Sequence, residues 1–203
     1  MSTRAKHIRH AATAFCMLAL SPLLMPAAGQ SFEEGVSAYH QGDYATALEN
    51  FRPLAEQGDP WAQVLLGVMY EDGEGVPQDY AEAARWYRLA AEWGHPMAQF
   101  NLGVMYDNGQ GVLQDYAEAV TWYHRAAEQG NERAQTNLGV MYGLGQGVLQ
   151  DYATAYMWGN IAAANGARPD LRDLMAEQLS PEQIVEAQRR ARVCMESNYQ
   201  DCD

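Results

Sequence analysis

A block of 36 residues recurs three times without a gap, and it constrains the fold more than any other feature of the sequence. The three copies span 60–95, 96–131 and 132–167. A fixed period of roughly 20 to 50 residues is typical of solenoids, in which each unit buries its apolar face only against its neighbours. The sequence therefore predicts a stack of similar units, and its function should depend on the surfaces that the stack presents.

Each block contains two stretches in which apolar residues recur at helical spacing. In the first copy, Ala62, Leu66 and Tyr70 are spaced four apart and fall on one face of a first helix, here named helix A. A second stripe begins at Tyr80 and predicts helix B. The glycines between the stretches, such as Gly73, suit a loop with positive φ. One unit is therefore helix A, a glycine-containing loop and helix B.

The fixed positions of the block carry a resemblance to a known family. The pattern A-x-x-x-L-G-x-x-Y, a G-x-G-V loop and D-Y-x-x-A-x-x-W-Y-x-x-A-A-x-x-G resembles the Sel-one-like repeat (SLR), a relative of the tetratricopeptide repeat. The W-Y pair stands at 86–87 and 122–123, whereas the third copy reads Trp158-Gly159. The resemblance implies an all-α solenoid of antiparallel helix pairs, a right-handed tetratricopeptide-like superhelix.

The remaining segments divide into a leader, a shortened first unit and a C-terminal cap. Residues 1–29 combine a basic start, an apolar run and small residues before Gln30, which is typical of a signal peptide. Within the solenoid, 30–167, residues 31–59 match the block except for a connection that is four residues shorter. Residues 168–203 predict a helical cap and tail that cover the last repeat. We therefore expect a periplasmic or secreted protein that is not held in a membrane once the leader is removed.

The charge balance limits the partners that such a protein would bind. The full chain has 13 basic and 26 acidic residues. Cleavage after residue 29 would remove Arg4, Lys6 and Arg9. The remaining chain would have 10 basic and 26 acidic residues, a net charge of −16. Such a surface disfavours nucleic acid and anionic membranes. The predicted partner is a protein or peptide, and the sequence leaves its identity and the oligomeric state open.

The residue types needed for most covalent and metal chemistry are missing from their usual motifs. Lys6 is the only lysine, so the exported chain would hold no Schiff-base lysine, no Walker-type phosphate loop and no Ser-x-x-Lys nucleophile. No histidine forms H-x-x-x-H, and no serine lies in G-x-S-x-G. We expect no catalytic residue, no metal and no cofactor. Cys194 and Cys202 could form a disulfide in an oxidising compartment, although spacing alone does not establish the geometry.

Helix A positions that differ between the copies mark the candidate binding surface. Positions 61, 64, 68 and 71 form a second face of helix A, which lines the peptide groove in the related tetratricopeptide family. Apolar side chains would then line one part of the groove and an arginine would line another part. The arginine would pair with a ligand carboxylate. A less constrained surface would show the same variation. The candidate groove residues are Trp61, Val64, Met97, Phe100, Arg133 and Thr136.

Two functions remain after these exclusions. The first is a non-enzymatic scaffold of the periplasm or cell exterior that holds a protein or peptide on the concave helix A face. The alternative is a secreted hydrolase or binder acting on cell-wall or β-lactam compounds, which the resemblance implies because some secreted relatives are linked to penicillin binding. The absence of lysine and of a nucleophile motif favours the scaffold.

Overall fold

The computed structural model describes residues 31–202, which contain ten α-helices and no strand. The predicted signal peptide lies outside these residues. Within 31–202, no helix is both long and apolar enough to cross a membrane. The helices are α1 (Phe32–His40), α2 (Tyr44–Glu56), α3 (Pro60–Asp72), α4 (Tyr80–Glu92), α5 (Pro96–Asn108), α6 (Tyr116–Ala127), α7 (Glu132–Leu144), α8 (Tyr152–Ala164), α9 (Asp170–Ala176) and α10 (Pro181–Glu196).

The first eight helices form four pairs that stack along the chain, each helix packing against the next. The prediction of an all-α solenoid is confirmed. Helices α3, α5 and α7 are the A helices of the three full repeats, and α4, α6 and α8 are their B helices. Within each pair the helices approach closely at a glycine: a Cβ on Gly67 would overlap the Tyr87 ring, and one on Gly103 would lie 2.7 Å from the Tyr123 ring. These glycines are therefore required for packing.

A buried glutamine in each full repeat ties helix A to the preceding helix B. The side-chain Nε2 donates to a backbone carbonyl near the end of the earlier helix, at 3.1–3.2 Å. Because an unpaired buried carbonyl destabilises a fold by about 1–3 kcal/mol, this bond helps to fix the stacking of successive units. The three bonds are Gln63 to Ala55, Gln99 to Ala91 and Gln135 to Ala127.

The loop glycines have a second role that the period alone does not reveal. Gly111, with φ +68°, lies directly against the backbone of Tyr80 and Ala81, which begin helix B of the preceding repeat. Gly147 makes the same approach to Tyr116. Each loop therefore docks on the neighbouring unit, and this close approach leaves no room for a side chain.

The C-terminal segment packs on the last repeat in two separate ways. Helix α10 begins with a capping box at Ser180 and buries Ala187 and Ala191. Cys194 and Cys202 form a disulfide at the end of α10, with their Cα atoms 4.4 Å apart. The short helix α9 packs on α8 and also reaches α7, so it lies over the helix pair of the third repeat.

Candidate ligand-binding groove

An open groove of about 700 Å³ runs across the A helices of the three full repeats. Its walls come from α3, α5 and the start of α7, and its floor includes one tyrosine of α4. Stacking of the helix pairs thus brings together residues that are 36 or more positions apart in the sequence. The groove is lined by Val68, Glu71, Asp72, Tyr87, Met97, Phe100, Asn101, Asn131, Glu132 and Arg133.

Three of the six predicted groove residues meet in this cavity. Met97 is 47% exposed and forms an accessible apolar wall. The guanidinium of Arg133 lies over the ring of Phe100, with Cζ 5.1 Å from the ring centroid. Phe100 is only 8% exposed, so it supports Arg133 from below and leaves only a small part of its ring accessible to a ligand. An apolar wall from α5 therefore lies beside a basic group from α7, and ligand binding by these residues stays a prediction.

The other three predicted residues do not line the groove. Val64 is only 2% exposed, because its position on helix A faces the next repeat and packs in the core. Thr136 is half-buried, and its hydroxyl donates to the carbonyl of Glu132 at 2.9 Å. Trp61 is exposed and packs edge-on against His95, with ring centroids 4.3 Å apart. Val64 is thus a core residue, which corrects its assignment to the binding surface.

Two buried tyrosines of the B helices, here named the tyrosine floor, each donate a hydrogen bond to a carboxylate of the adjacent A helix. The hydroxyl of Tyr87 donates to Glu71 at 2.7 Å, and that of Tyr123 donates to Asp107 at 3.2 Å. Burial, followed by the hydrogen bond to Glu71, raises the pKa of Tyr87. This hydroxyl therefore stays protonated and donates throughout the ordinary pH range, so it holds Glu71 in one place at the groove wall.

The third repeat has lost both members of this pair, and α9 fills the space. Gly159 stands where the tyrosine would be, and Gly143 stands where the carboxylate would be. A Cβ on Gly159 would meet the backbone of Arg172 at 3.0 Å, and one on Gly143 would meet the sulfur of Met175 at 3.0 Å. Helix α9 therefore covers the A-helix face of the third repeat and closes the groove at that end.

The open part of the groove carries more negative than positive charge. Glu71, Asp72 and Glu132 line it together with a single cation, Arg133. Among the ion pairs within residues 31–202, none involves Arg133. Its guanidinium is exposed and stacked, so it is oriented without being neutralised. The site can accept a basic group at one end and a carboxylate at Arg133.

Helical spacing in the sequence does not reveal the tyrosine floor. Tyr87 belongs to the apolar stripe of helix B, and its hydroxyl function depends on Glu71, which is 16 residues away. Asn101 offers a second missed signal, because asparagine recurs at this A-helix position in the next repeat, as Asn137. A polar residue repeated in the middle of a buried helix indicates a partner or an accessible groove.

Glu74, in the first loop, also accepts a hydrogen bond from a tyrosine. The hydroxyl of Tyr44 donates to Glu74 at 2.7 Å, in the same way that Tyr87 engages Glu71. Within residues 31–202, no group of three or more histidine, cysteine or acidic side chains is placed to hold a metal ion. The carboxylate of Glu74 thus connects this loop to α2 of the preceding unit.

His95 is the one N-cap of the three A helices that lacks a side-chain hydrogen bond to its helix. Asp59 caps Ala62 at 2.8 Å and Asn131 caps Ala134 at 2.9 Å, whereas His95 makes no such bond. The imidazole is buried against Trp61, and within residues 31–202 both of its ring nitrogens lack a partner. Burial lowers the pKa of His95, with Asp59 opposing the shift.

We expect His95→Asn to remove a pH-dependent loss of stability. As the pH falls below about 6.5, the unfolded chain binds a proton that the folded chain resists, so the free energy of unfolding decreases until the pH reaches the lowered pKa. Asparagine cannot titrate, and it can cap α5 as Asn131 caps α7, a gain of about 1 kcal/mol. Urea denaturation at pH 7.5 and 5.0 measures the effect, and His40→Asn, at an exposed site, is the control.

A family model matches four consecutive segments of the chain. The model is the Sel1 repeat, matched at residues 27–59, 62–95, 96–131 and 132–166, which together make up more than half of the sequence. The chain belongs to the Sel1 repeat family. Sel1 repeat proteins are generally non-enzymatic scaffolds that mediate protein–protein interactions.

Two solved Sel1 repeat structures are similar to this chain. One is c5321, a protective antigen of uropathogenic Escherichia coli with an SLR fold, at 47% identity and a TM-score of 0.64. The other is a Sel1 repeat protein from Oxalobacter formigenes, at 36% identity and a TM-score of 0.65. Each match covers 67% of this chain but only 30% and 56% of those proteins, respectively. No curated protein sequence matches the chain.

Proposed function

We propose that this Sel1 repeat protein is a non-enzymatic binding scaffold of the periplasm or cell exterior that holds a polypeptide segment in the concave groove. The observation that carries the proposal is the meeting of Met97, Phe100 and Arg133 in one open cavity. These residues come from two repeats and line one cavity only because the repeats stack. Exposed apolar walls beside an oriented arginine are typical of surfaces that bind proteins.

The groove favours a short segment with an apolar side chain and charges of both signs. Met97 would contact the apolar side chain, and Arg133 would pair with a carboxylate. Glu71 and Asp72 at the opposite wall would attract a basic group. Because α9 closes the groove over the rest of the third repeat, the bound segment would span the first two full repeats and end at Arg133, at the start of α7. A flexible segment of this size binds with an affinity on the order of micromolar.

We expect Arg133→Glu to weaken capture of the partner at least tenfold. The test places a photo-cross-linking side chain at Met97 and exposes the exported protein to an extract of the compartment in which it resides. Reversal of the charge at 133 removes the carboxylate partner and adds repulsion, a change of about 1.4 kcal/mol or more. Cross-linked adducts are quantified by mass spectrometry, with helical content checked by circular dichroism.

Arg125→Glu is the matched control for this experiment. Arg125 is exposed and stacked on Trp122, with Cζ 4.6 Å from the ring centroid, much as Arg133 stacks on Phe100. It does not line the groove. The Arg125→Glu protein should give unchanged adducts. Equal loss in both variants, or adducts from Met97 that neither variant reduces, would refute binding through the groove.

A further inference from the structure

The first full repeat lacks a polar bridge that the next two repeats contain. In the second repeat, Gln129 Nε2 donates to the buried Gln99 Oε1 at 2.7 Å. In the third, Asn165 Nδ2 donates to the buried Gln135 Oε1 at 2.9 Å. Position 93 is the equivalent of 129 and 165 one period earlier, and it holds Trp93 in place of a carboxamide.

Loss of this bridge leaves a buried acceptor open. Gln63 is 3% exposed, and its Nε2 donates to the carbonyl of Ala55 at 3.1 Å, as in the other repeats. Its Oε1 has no hydrogen-bond partner within residues 31–202. Buried polar atoms in folded proteins are nearly always paired, so an open acceptor at a position that is paired in two sibling repeats indicates a site that is completed by another molecule.

A cavity of about 440 Å³ is lined by Gln63 and its neighbours, and none of its lining residues lines the concave groove. Trp93 stands at its rim with 80% of its surface exposed, an unusual position for the largest apolar side chain. Gln63 and Trp93 therefore line one pocket between the ends of α2 and α4. The lining residues are Ala55, Glu56, Gly58, Gln63, Arg85, Trp86, Leu89 and Trp93.

We propose that this pocket, here named the Trp93 pocket, is a second protein-interaction site that takes an asparagine or glutamine side chain of the partner. The partner carboxamide donates an N–H to Gln63 Oε1, replacing the donor that Gln129 and Asn165 supply in the other repeats. A neighbouring apolar side chain of the partner packs on Trp93. Tryptophan is among the residues most enriched at the centres of protein interfaces.

The surroundings of the acceptor select a neutral donor over a cationic one. Ala55 is buried and Leu89 half-buried beside it, so a lysine or arginine group bound at Gln63 would lose hydration. The one carboxylate that lines the pocket, Glu56, is exposed, so solvent would screen it and it would be a weak countercharge. The nearby Arg85 is already paired with Glu82. A carboxamide loses less hydration on burial, and it reproduces the chemistry of the internal bridge.

Two reciprocal substitutions test whether the open acceptor arises from Trp93. Trp93→Gln should restore the bridge and raise the thermal midpoint by about 2–4 °C. Gln129→Trp should open the same acceptor at Gln99 and lower the midpoint by a similar amount. If Trp93→Gln lowers the midpoint, Gln63 Oε1 is not available to a carboxamide and the proposal fails.

Selection from a phage-displayed library of random peptides tests the ligand. Peptides are selected on the wild-type protein and depleted on Trp93→Gln, and Trp93→Ala serves as a second variant that removes the indole without restoring the bridge. Enriched peptides should carry asparagine or glutamine beside an apolar residue and bind both variants at least tenfold more weakly. They should bind Arg133→Glu as well as wild type, which separates this pocket from the groove. Enrichment without asparagine or glutamine, or no enrichment, overturns the proposal.

Discussion

Replacing Gly111 by alanine is expected to lower the free energy of unfolding by about 3 kcal/mol. Two effects add. Gly111 has φ +68°, and a non-glycine residue in this left-handed region costs about 1–2 kcal/mol. The new Cβ would also overlap the carbonyl of Tyr80 and approach the amide nitrogen of Ala81 to 2.7 Å, so adjacent repeats would have to separate. Overpacking of this kind costs a further 1–3 kcal/mol, approximately.

Gly94→Ala isolates the backbone component of this loss. Gly94 also has positive φ, at +87°, but a Cβ there would meet nothing within 4 Å. We expect it to cost about 1 kcal/mol. Urea denaturation followed by circular dichroism gives both values. Equal losses at Gly94 and Gly111 would mean that the loop does not dock on the preceding repeat as the structure shows.

The difference between these two glycines shows what the sequence could and could not predict about the fold. The period, the two helical stripes and the loop glycines predicted the helix pairs and the positive φ values, because these are local properties. The docking of Gly111 on Tyr80 is not local. It depends on the distance between adjacent repeats, which is set by packed side chains and by the buried bonds of Gln63 and its equivalents.

The candidate site was predicted only in part for a similar reason. Variation among the copies selected Met97 and Arg133, which line the cavity, but it also selected Val64, which is buried. A face defined by helical spacing is wider than the groove, and its edge lies against the next repeat. Variation therefore marks both positions that meet a ligand and positions that adapt to a different neighbour.

The closure of the groove by α9 could not be predicted from spacing either. The loss of tyrosine at Gly159 was visible in the sequence as a departure from the repeat. Its reason lies in residues that follow the array, since Leu171 packs on Gly139 where a tyrosine ring packs in the earlier repeats. A repeat that loses a side chain can thus make room for a segment from outside the repeat pattern.

Gly159→Tyr should therefore displace α9 and lower the free energy of unfolding by about 3 kcal/mol. The substitution restores the W-Y pair of the other repeats, but a Cβ at this position would already lie 3.0 Å from the backbone nitrogen of Arg172. The ring would compete with Leu171 for the surface of Gly139. Undocking α9 would expose Leu171 and Met175, whose burial contributes about 1.5 kcal/mol each.

Hydrogen–deuterium exchange distinguishes displacement of α9 from general destabilisation. In Gly159→Tyr, amides of 170–176 should exchange faster while those of α3 to α6 keep their protection, because each solenoid unit contacts only its neighbours. Leu174→Tyr is the control, since it adds the same ring on the exposed side of α9. Faster exchange throughout α3 to α6 would contradict a local role for Gly159. Unchanged exchange in 170–176 would show that α9 does not depend on the space left by the missing tyrosine.

If α9 alone is released, the A-helix face of the third repeat becomes accessible, and the length of the groove is then set by one residue of α8.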